Sequence, residues 1–245
     1  MEKLSINKIK WLRTLHSKKY RESEGFFIVE GEKMIDELIS HQPDDIHCLV
    51  VTEKFSNQKS AAIDIETYHA SEREFERIST LKNPQGILAV LKQSIIQIKP
   101  FDLNKNILIL DGIQDPGNLG TIIRSADWFG IDQIFCSSDT VEIYNPKVIQ
   151  ASMGSVFRLN INYGSIADFI SATTLPVFGA LLSGTSCFES KIPTPGILII
   201  GNEGNGISPS VSKLITHPIT IPKIGAAESL NAGVACGILL SIWHK

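Results

Sequence analysis

Paired cysteines are missing from this sequence. Its four cysteines, Cys48, Cys136, Cys187 and Cys236, stand at least 49 residues apart with no CxxC. That spacing supports neither a zinc site nor a disulfide framework, and it fits a reducing cytoplasm. Long apolar runs are missing too. Runs such as residues 107–110 and 197–200 fall far short of the roughly 20 residues that cross a bilayer. The stretch MEKLSINKIKWLRTLHSKK scatters charge and has no apolar core of a secretory signal, so a cytoplasmic protein without membrane contact is expected. No HExxH occurs and the six histidines are dispersed, so no metal is expected. There is no GxSxG elbow for a serine hydrolase. GxGxxG with a later acid, which a nicotinamide-dependent oxidoreductase needs, is absent, and so is the GxxxxGK[ST] phosphate loop. No internal repeat or low-complexity tract appears.

What is present is an ordinary globular composition, 43% apolar and 20% charged over 245 residues. The net charge of −3 argues against nucleic acid until its distribution is considered. Residues 1–21 hold seven Lys/Arg (Lys3, Lys8, Lys10, Arg13, Lys18, Lys19, Arg21) against one acid, Glu2. Phosphate binding follows local basic density. A solvated basic helix and an RNA-contacting patch both fit.

Composition changes near residues 92–106. The first 100 residues carry 15 Lys/Arg and 15 Asp/Glu; the remaining 145 carry eight and 11. KQSIIQIKPFDLNKN reads as a linker. The expected division is 1–95, a linker at 96–105, and 106–245. In the first part, residues 5–15 and 32–39 have helical spacing, and 26–31, 48–51 and 86–91 read as strands. In the second, apolar β-branched strands are expected at 106–112, 132–138, 176–182, 196–202 and 217–222. Helices are expected at 121–129, 146–152, 165–173 and 229–243. Strands apolar throughout predict a mostly parallel sheet covered on both faces, with ligands beyond its C-terminal strand ends.

Three loops fall at such ends. In LDGIQDPGNLGTIIRSADWFG (110–130) a glycine-rich loop enters a helix. Asn118 stands at the junction, equally suited to capping and to chemistry. Arg124 projects from the face opposite Ile122 and Ala126, placed to grip phosphate. LIIGNEGNGIS (198–208) has GxxGxG spacing and carries Glu203, which would repel a phosphate. Glu203 is placed to orient Arg124. In IPKIGAAESLNAGVACGILLSIW (221–243), Ser229 reads as an N-cap, and Asn231 lies beside it where free N–H groups attract polar ligand atoms. The small residues Ala232, Gly233, Ala235 and Gly237 cost helix propensity and predict close packing.

Together these three stretches resemble the three motifs of the SpoU family of RNA ribose 2′-O-methyltransferases, within the SPOUT class. Residues 9–39, IKWLRTLHSKKYRESEGFFIVEGEKMIDELI, resemble the family's L30e-like substrate-binding domain. The resemblance covers nearly the whole chain. It departs in reading Ser229-Leu230-Asn231-Ala232-Gly233 where many members have Ser-Leu-Asn-Val-Ser, and in Lys223 where methionine is common.

The resemblance implies an α/β fold: a mostly parallel sheet ending in a deep trefoil knot, preceded by the L30e-like domain. A knot is not what sheet patterning alone predicts. The implied cofactor is S-adenosylmethionine, held by backbone groups near Gly201, Asn202, Ile221 and Leu230 with Leu181 bordering. The implied reaction is in-line attack of a ribose 2′-oxygen on its methyl group, served by Arg124, Asn118, Glu203, Ser229 and Asn231, with Glu203 bracing Asn118 and Arg124 or helping to hold its loop. Implied partners are RNA, rRNA ahead of tRNA, and a second copy of the chain bound through the knotted domain. Lys8, Lys10, Arg13, Lys18, Lys19 and Arg21 are the expected RNA contacts. The rival readings are a tRNA 2′-O-methyltransferase and an RNA-binding protein that keeps the fold without catalysis.

Overall fold

A computed structural model describes residues 2–55, 65–96 and 98–243. The chain divides into two compact units, residues 1–95 with 144–150, and residues 96–143 with 151–245.

The first unit contains β1 (Glu2–Lys3), α1 (Ile6–Thr14), α2 (Lys18–Glu24), β2 (Phe26–Glu30), α3 (Glu32–His41), β3 (Ile46–Val51), β4 (Thr67–His69), α4 (Glu72–Glu76) and β5 (Ile87–Lys92). Its mixed sheet has the order β1-β4-β3-β5-β2. β3 and β2 run antiparallel to β5 on either side of it. Ile9 and Leu12 from α1 join Ile28, Val50, Leu88 and Phe75 in one core. Ser5 caps α1 by accepting from Lys8 N, and Ser71 and Glu74 close a reciprocal capping box on α4. α2 (KKYRESE) shows no apolar periodicity; its one buried residue is Arg21.

The second unit carries β6 (Ile107–Asp111), α5 (Pro116–Trp128), β7 (Gln133–Ser137), α6 (Pro146–Ser152, most of which clusters with the first unit), β8 (Asn160–Gly164), α7 (Ile166–Ser171), β9 (Val177–Ser186), β10 (Ile197–Gly201), α8 (Pro209–Ser212), β11 (His217–Thr220) and α9 (Ala232–Trp243). The sheet order is β11-β9-β10-β6-β7-β8, and every pairing is parallel. All residues of β6 and β7 are buried, as a parallel sheet covered on both faces requires. Ile107, Ile109, Ile197 and Ile199 share a cluster with Ile166, Ile170 and Val211 from α7 and α8. α9 packs against α5 and β10.

From β6 the chain builds outward through β7 and β8, then returns to place β10 on the other side of β6. The order therefore reverses between β6 and β10, and at such a switch point the C-terminal strand ends form a crevice.

Expected and observed elements differ in informative places. The helix expected at 121–129 begins at Pro116, because Asp115 caps it and proline fits the first helical position. The strand expected at 176–182 extends to Ser186, with β11 shifting register against it between Pro218 and Ile219.

All four cysteines are free and buried. Burial pushes the Cys48 and Cys236 thiols up to about 12 and raises those of Cys136 and Cys187. Since the thiolate is the reactive form, the folded protein at pH 8 should show no thiol reactive to Ellman's reagent, and four in guanidinium. A native count of one or more would contradict this burial.

Candidate active site

The switch-point crevice is flanked by the loop after β6 and the turn after β10. Asp111, the last residue of β6, is 6% exposed, and its Oδ2 accepts from Ser208 N at 2.7 Å. Gly112 N donates to Ser137 Oγ at 2.8 Å, and Ser137 Oγ donates to Asp139 Oδ1 at 2.6 Å. This ties the end of β6 to that of β7.

The turn after β10 closes on itself. Asn202 N donates to Gly206 O at 3.0 Å, and Gly206 N donates to Asn202 O at 2.9 Å. Gly206 sits at φ +67°, where L side chains are disfavoured. The Asn202 side chain holds both loops. Its Oδ1 accepts from Gly204 N and Asn205 N at 2.9 and 3.0 Å, and its Nδ2 donates to Gly112 O at 2.8 Å.

Asn118 joins all three loops. Its Nδ2 donates to Glu203 Oε1, and its Oδ1 accepts from Asn231 Nδ2 at 2.8 Å. Both functions of one amide are thus spent on residues 85 and 113 positions away in the chain. Capping does not explain Asn118, because Asp115 is the cap and accepts from Asn118 N at 2.8 Å. Capping does explain Asn231. Its Oδ1 accepts from Gly233 N and Val234 N at 3.0 and 3.2 Å.

The expectation that Ser229 caps the last helix is therefore corrected. Ser229 is exposed and makes no hydrogen bond among the described residues, two positions before the true cap. Small residues let α9 approach α5: a Cβ on Gly233 would lie 3.1 Å from Thr121 Cγ2.

Glu203 does not pair with Arg124. Its carboxylate meets Asn118, and the Arg124 side chain makes no hydrogen bond or ion pair among the described residues. Arg124 is exposed on α5, about 9 Å further along the helix than Asn118 at ~1.5 Å per residue. Leu181 is half-buried beside the core that includes Ile199. Gly201 ends β10, Ile221 follows β11 half-buried, and Leu230 is exposed. Residues 222–230 make no hydrogen bond with any described residue, which leaves their backbone donors and acceptors open to a ligand. Asp111 and Asp115 were missed from sequence as parts of this site. The Asp-Pro pair at 115–116 was a legible cap signal; Asp111 gave none.

In the first unit, Lys10, Arg13, Lys18 and Lys19 are exposed. Lys8 is half-buried, with Nζ 4.6 Å from the Trp11 ring centroid and 4.8 Å from that of Tyr68. Arg21 is corrected as an RNA contact. It is 2% exposed, and its Nη1 donates to Leu15 O at 2.8 Å. Among the described residues, no cluster of three His, Cys, Asp or Glu could hold a metal, and no helix is long and apolar enough to cross a membrane.

Fold and site thus define a parallel α/β protein that presents amides and open backbone groups to a polar ligand at a switch point. Comparison with known proteins gives the family. Residues 105–241 match the SpoU rRNA methylase family, and residues 7–89 match the MRM3-like substrate-binding domain. The chain belongs to the SpoU rRNA methylase family. It is 31% identical over 244 residues to the Bacillus subtilis 23S rRNA (guanosine(2553)-2′-O)-methyltransferase RlmP, covering 98% of this chain and 97% of that one. An AdoMet-bound rRNA methyltransferase from Sinorhizobium meliloti is 29% identical, with TM-score 0.84, covering 99% of this chain and 97% of that one. An RNA 2′-O ribose methyltransferase structure is 27% identical, with TM-score 0.86, over 100% and 97%.

Proposed function

We propose that this protein methylates a ribose 2′-hydroxyl of RNA from S-adenosylmethionine, with 23S-type rRNA as substrate. The observation that carries the reading is Asn118, which links Glu203 and Asn231 and so draws three distant loops to one point. The residues fit the cofactor. The open backbone of residues 222–230, with Gly201, Asn202, Ile221 and Leu230 nearby and Leu181 bordering, would hold it mainly through main-chain groups. When bound, it supplies an electrophilic methyl group on a sulfonium. The chain's own task is alignment of the attacking oxygen and management of its proton. Asn118, Glu203 and Asn231 fix the loops, and Ser229 lies free to meet a ligand. Arg124 grips the phosphate beside the reacting ribose and stabilises the developing alkoxide. A guanidinium, with pKa above about 12, makes a poor base by itself.

In the same reading the second unit carries the trefoil knot, works in the cytoplasm and pairs with a second copy. Trp128 on α5 and Val234 on α9, 85% and 53% exposed, support a covering partner. The first unit binds substrate RNA. Substituting Lys10, Arg13 and Lys19 by glutamine is expected to lower the slope of log K against log salt by about 2, at ~0.7 per single-strand phosphate contact. An unchanged slope would remove this face from the interface.

The deciding experiment is transfer of labelled methyl from S-adenosylmethionine to total RNA from a strain lacking the protein, with mapping of 2′-O-methyl sites. A single labelled ribose in rRNA is expected. Absence of transfer to rRNA, tRNA or ribosomal subunits would overturn the reading.

A further inference from the structure

We infer that the first unit carries a site for one unpaired nucleobase, in the cleft lined by Glu32, Thr52, Lys54, Phe55, Asn83 and Gln85. The inference rests on the RNA methyltransferase reading above. The cleft has a volume of about 490 Å³, within the range of small-molecule sites, and lies wholly within that unit.

Its first mark is an unsatisfied group. Thr52 follows β3, is 1% exposed, and its Oγ1 is buried with no hydrogen-bond partner among the described residues. Native proteins seldom leave a buried hydroxyl unpaired, and such a group calls for a reason. The backbone around it is hydrogen-bonded: Thr52 N donates to Gly86 O at 2.9 Å, and Phe55 N donates to Thr52 O at 3.0 Å. Only a glycine fits against the hydroxyl. Gly86 has φ +84°, and a Cβ there would lie 2.5 Å from Thr52 Oγ1.

The second mark is the lining. The Asn83 and Gln85 side chains are exposed. Gln85 Oε1 takes one long bond, from Glu32 N at 3.4 Å, and its amide nitrogen has no partner among the described residues. Lys54 makes no ion pair among them, and its Nζ lies 4.9 Å from the Phe55 ring centroid. Side-chain amides read base edges through paired donor and acceptor bonds, and single-stranded bases are the ones free to enter such clefts. Glu32 and Glu72 face the cleft against one lysine. That balance disfavours a phosphate. Carboxylates accept from exocyclic amino groups and repel carbonyl edges, so adenine, guanine or cytosine is favoured over uracil.

The test is an amide chemical-shift titration of the full-length protein with AMP, GMP, CMP, UMP and ribose 5-phosphate. Saturable shifts at Thr52, Gln85 and Gly86 are expected with at least one amino-bearing nucleotide, weaker with UMP and absent with ribose 5-phosphate. Thr52→Val should weaken that binding at least fivefold. Gln85→Ala, at an exposed position, should do the same and serves if the first variant fails to fold. Equal response to ribose 5-phosphate, no response at the cleft, or full affinity in a folded variant would overturn the site. A chain that bound nucleotides here yet transferred no methyl would instead sink the methyltransferase reading, so the two failures are separable.

Discussion

Arg124→Ala is expected to reduce methyl transfer about 10²–10³-fold at saturating RNA, the scale seen when one donor to a developing oxyanion is removed. The cofactor affinity should stay within about twofold, because the open backbone of residues 222–230 and the Asn202 turn do not involve Arg124. Stability should change by less than about 0.5 kcal/mol, since the Arg124 side chain is exposed and makes no hydrogen bond or ion pair among the described residues. An arginine without a structural partner that nevertheless governs turnover must be acting on substrate. Arg124→Lys keeps the charge and loses the planar fork, so it should recover only part of the rate, roughly a tenth of wild type if bidentate phosphate contact matters. Quenched-flow single turnovers, titration of S-adenosylmethionine and a melting curve measure the three quantities. Full turnover in Arg124→Lys would show that charge alone suffices. Turnover near wild type in Arg124→Ala would remove Arg124 from the reaction.

The legible parts of this fold are those where burial writes itself into the chain. β6 and β10 read ILILD and ILIIG, and such runs need no partner to be recognised, because both faces of the sheet are covered. β8 reads NINYG at a sheet edge with mixed burial, which leaves no pattern. β1 and β4 are two and three residues long. α2 hides behind charge: its buried side chain is an arginine whose Nη1 donates to Leu15 O, so a composition that reads as a basic surface is partly interior.

At the site, residue types and loops were legible and pairings were not. Ser229 and Asn231 are both good caps two positions apart, and sequence favours the first. Residues 222–230 make no hydrogen bond among the described residues, and the helix waits for Asn231. Glu203 has two polar partners within plausible reach from sequence, Arg124 and Asn118. Their choice depends on how β6 and β10 lie side by side, a pairing of residues 90 apart in the chain. Local periodicity carries no information about it. The cofactor came from family resemblance alone, since main-chain recognition leaves little side-chain trace.

Gly201→Ala should be the most damaging single-methyl change in the second unit. The new Cβ would stand 2.3 Å from Gly206 C, 2.4 Å from Ile207 N and 2.5 Å from Gly206 O. These are backbone atoms, so no rotamer change relieves the clash. Relief requires opening the turn, which sacrifices the two backbone bonds between Asn202 and Gly206. Overpacking costs about 1–3 kcal/mol, and each lost hydrogen bond adds roughly 0.5–1.5 kcal/mol. A destabilisation of about 3 kcal/mol is expected, or a Tm lower by roughly 6–12 °C in a chain of this size. Opening the turn also withdraws Glu203 from Asn118, so S-adenosylmethionine affinity should fall more than tenfold. Gly204→Ala is the control in the same turn. Its Cβ would meet only Asn202 Oδ1, at 3.5 Å, an ordinary contact, and its Tm should stay within about 2 °C of wild type. If Gly201→Ala kept its Tm and lost only the cofactor, the glycine would be there to admit the ligand. Loss of both assigns it to the close backbone approach of the turn at Gly206–Ile207, with the cofactor site as the consequence.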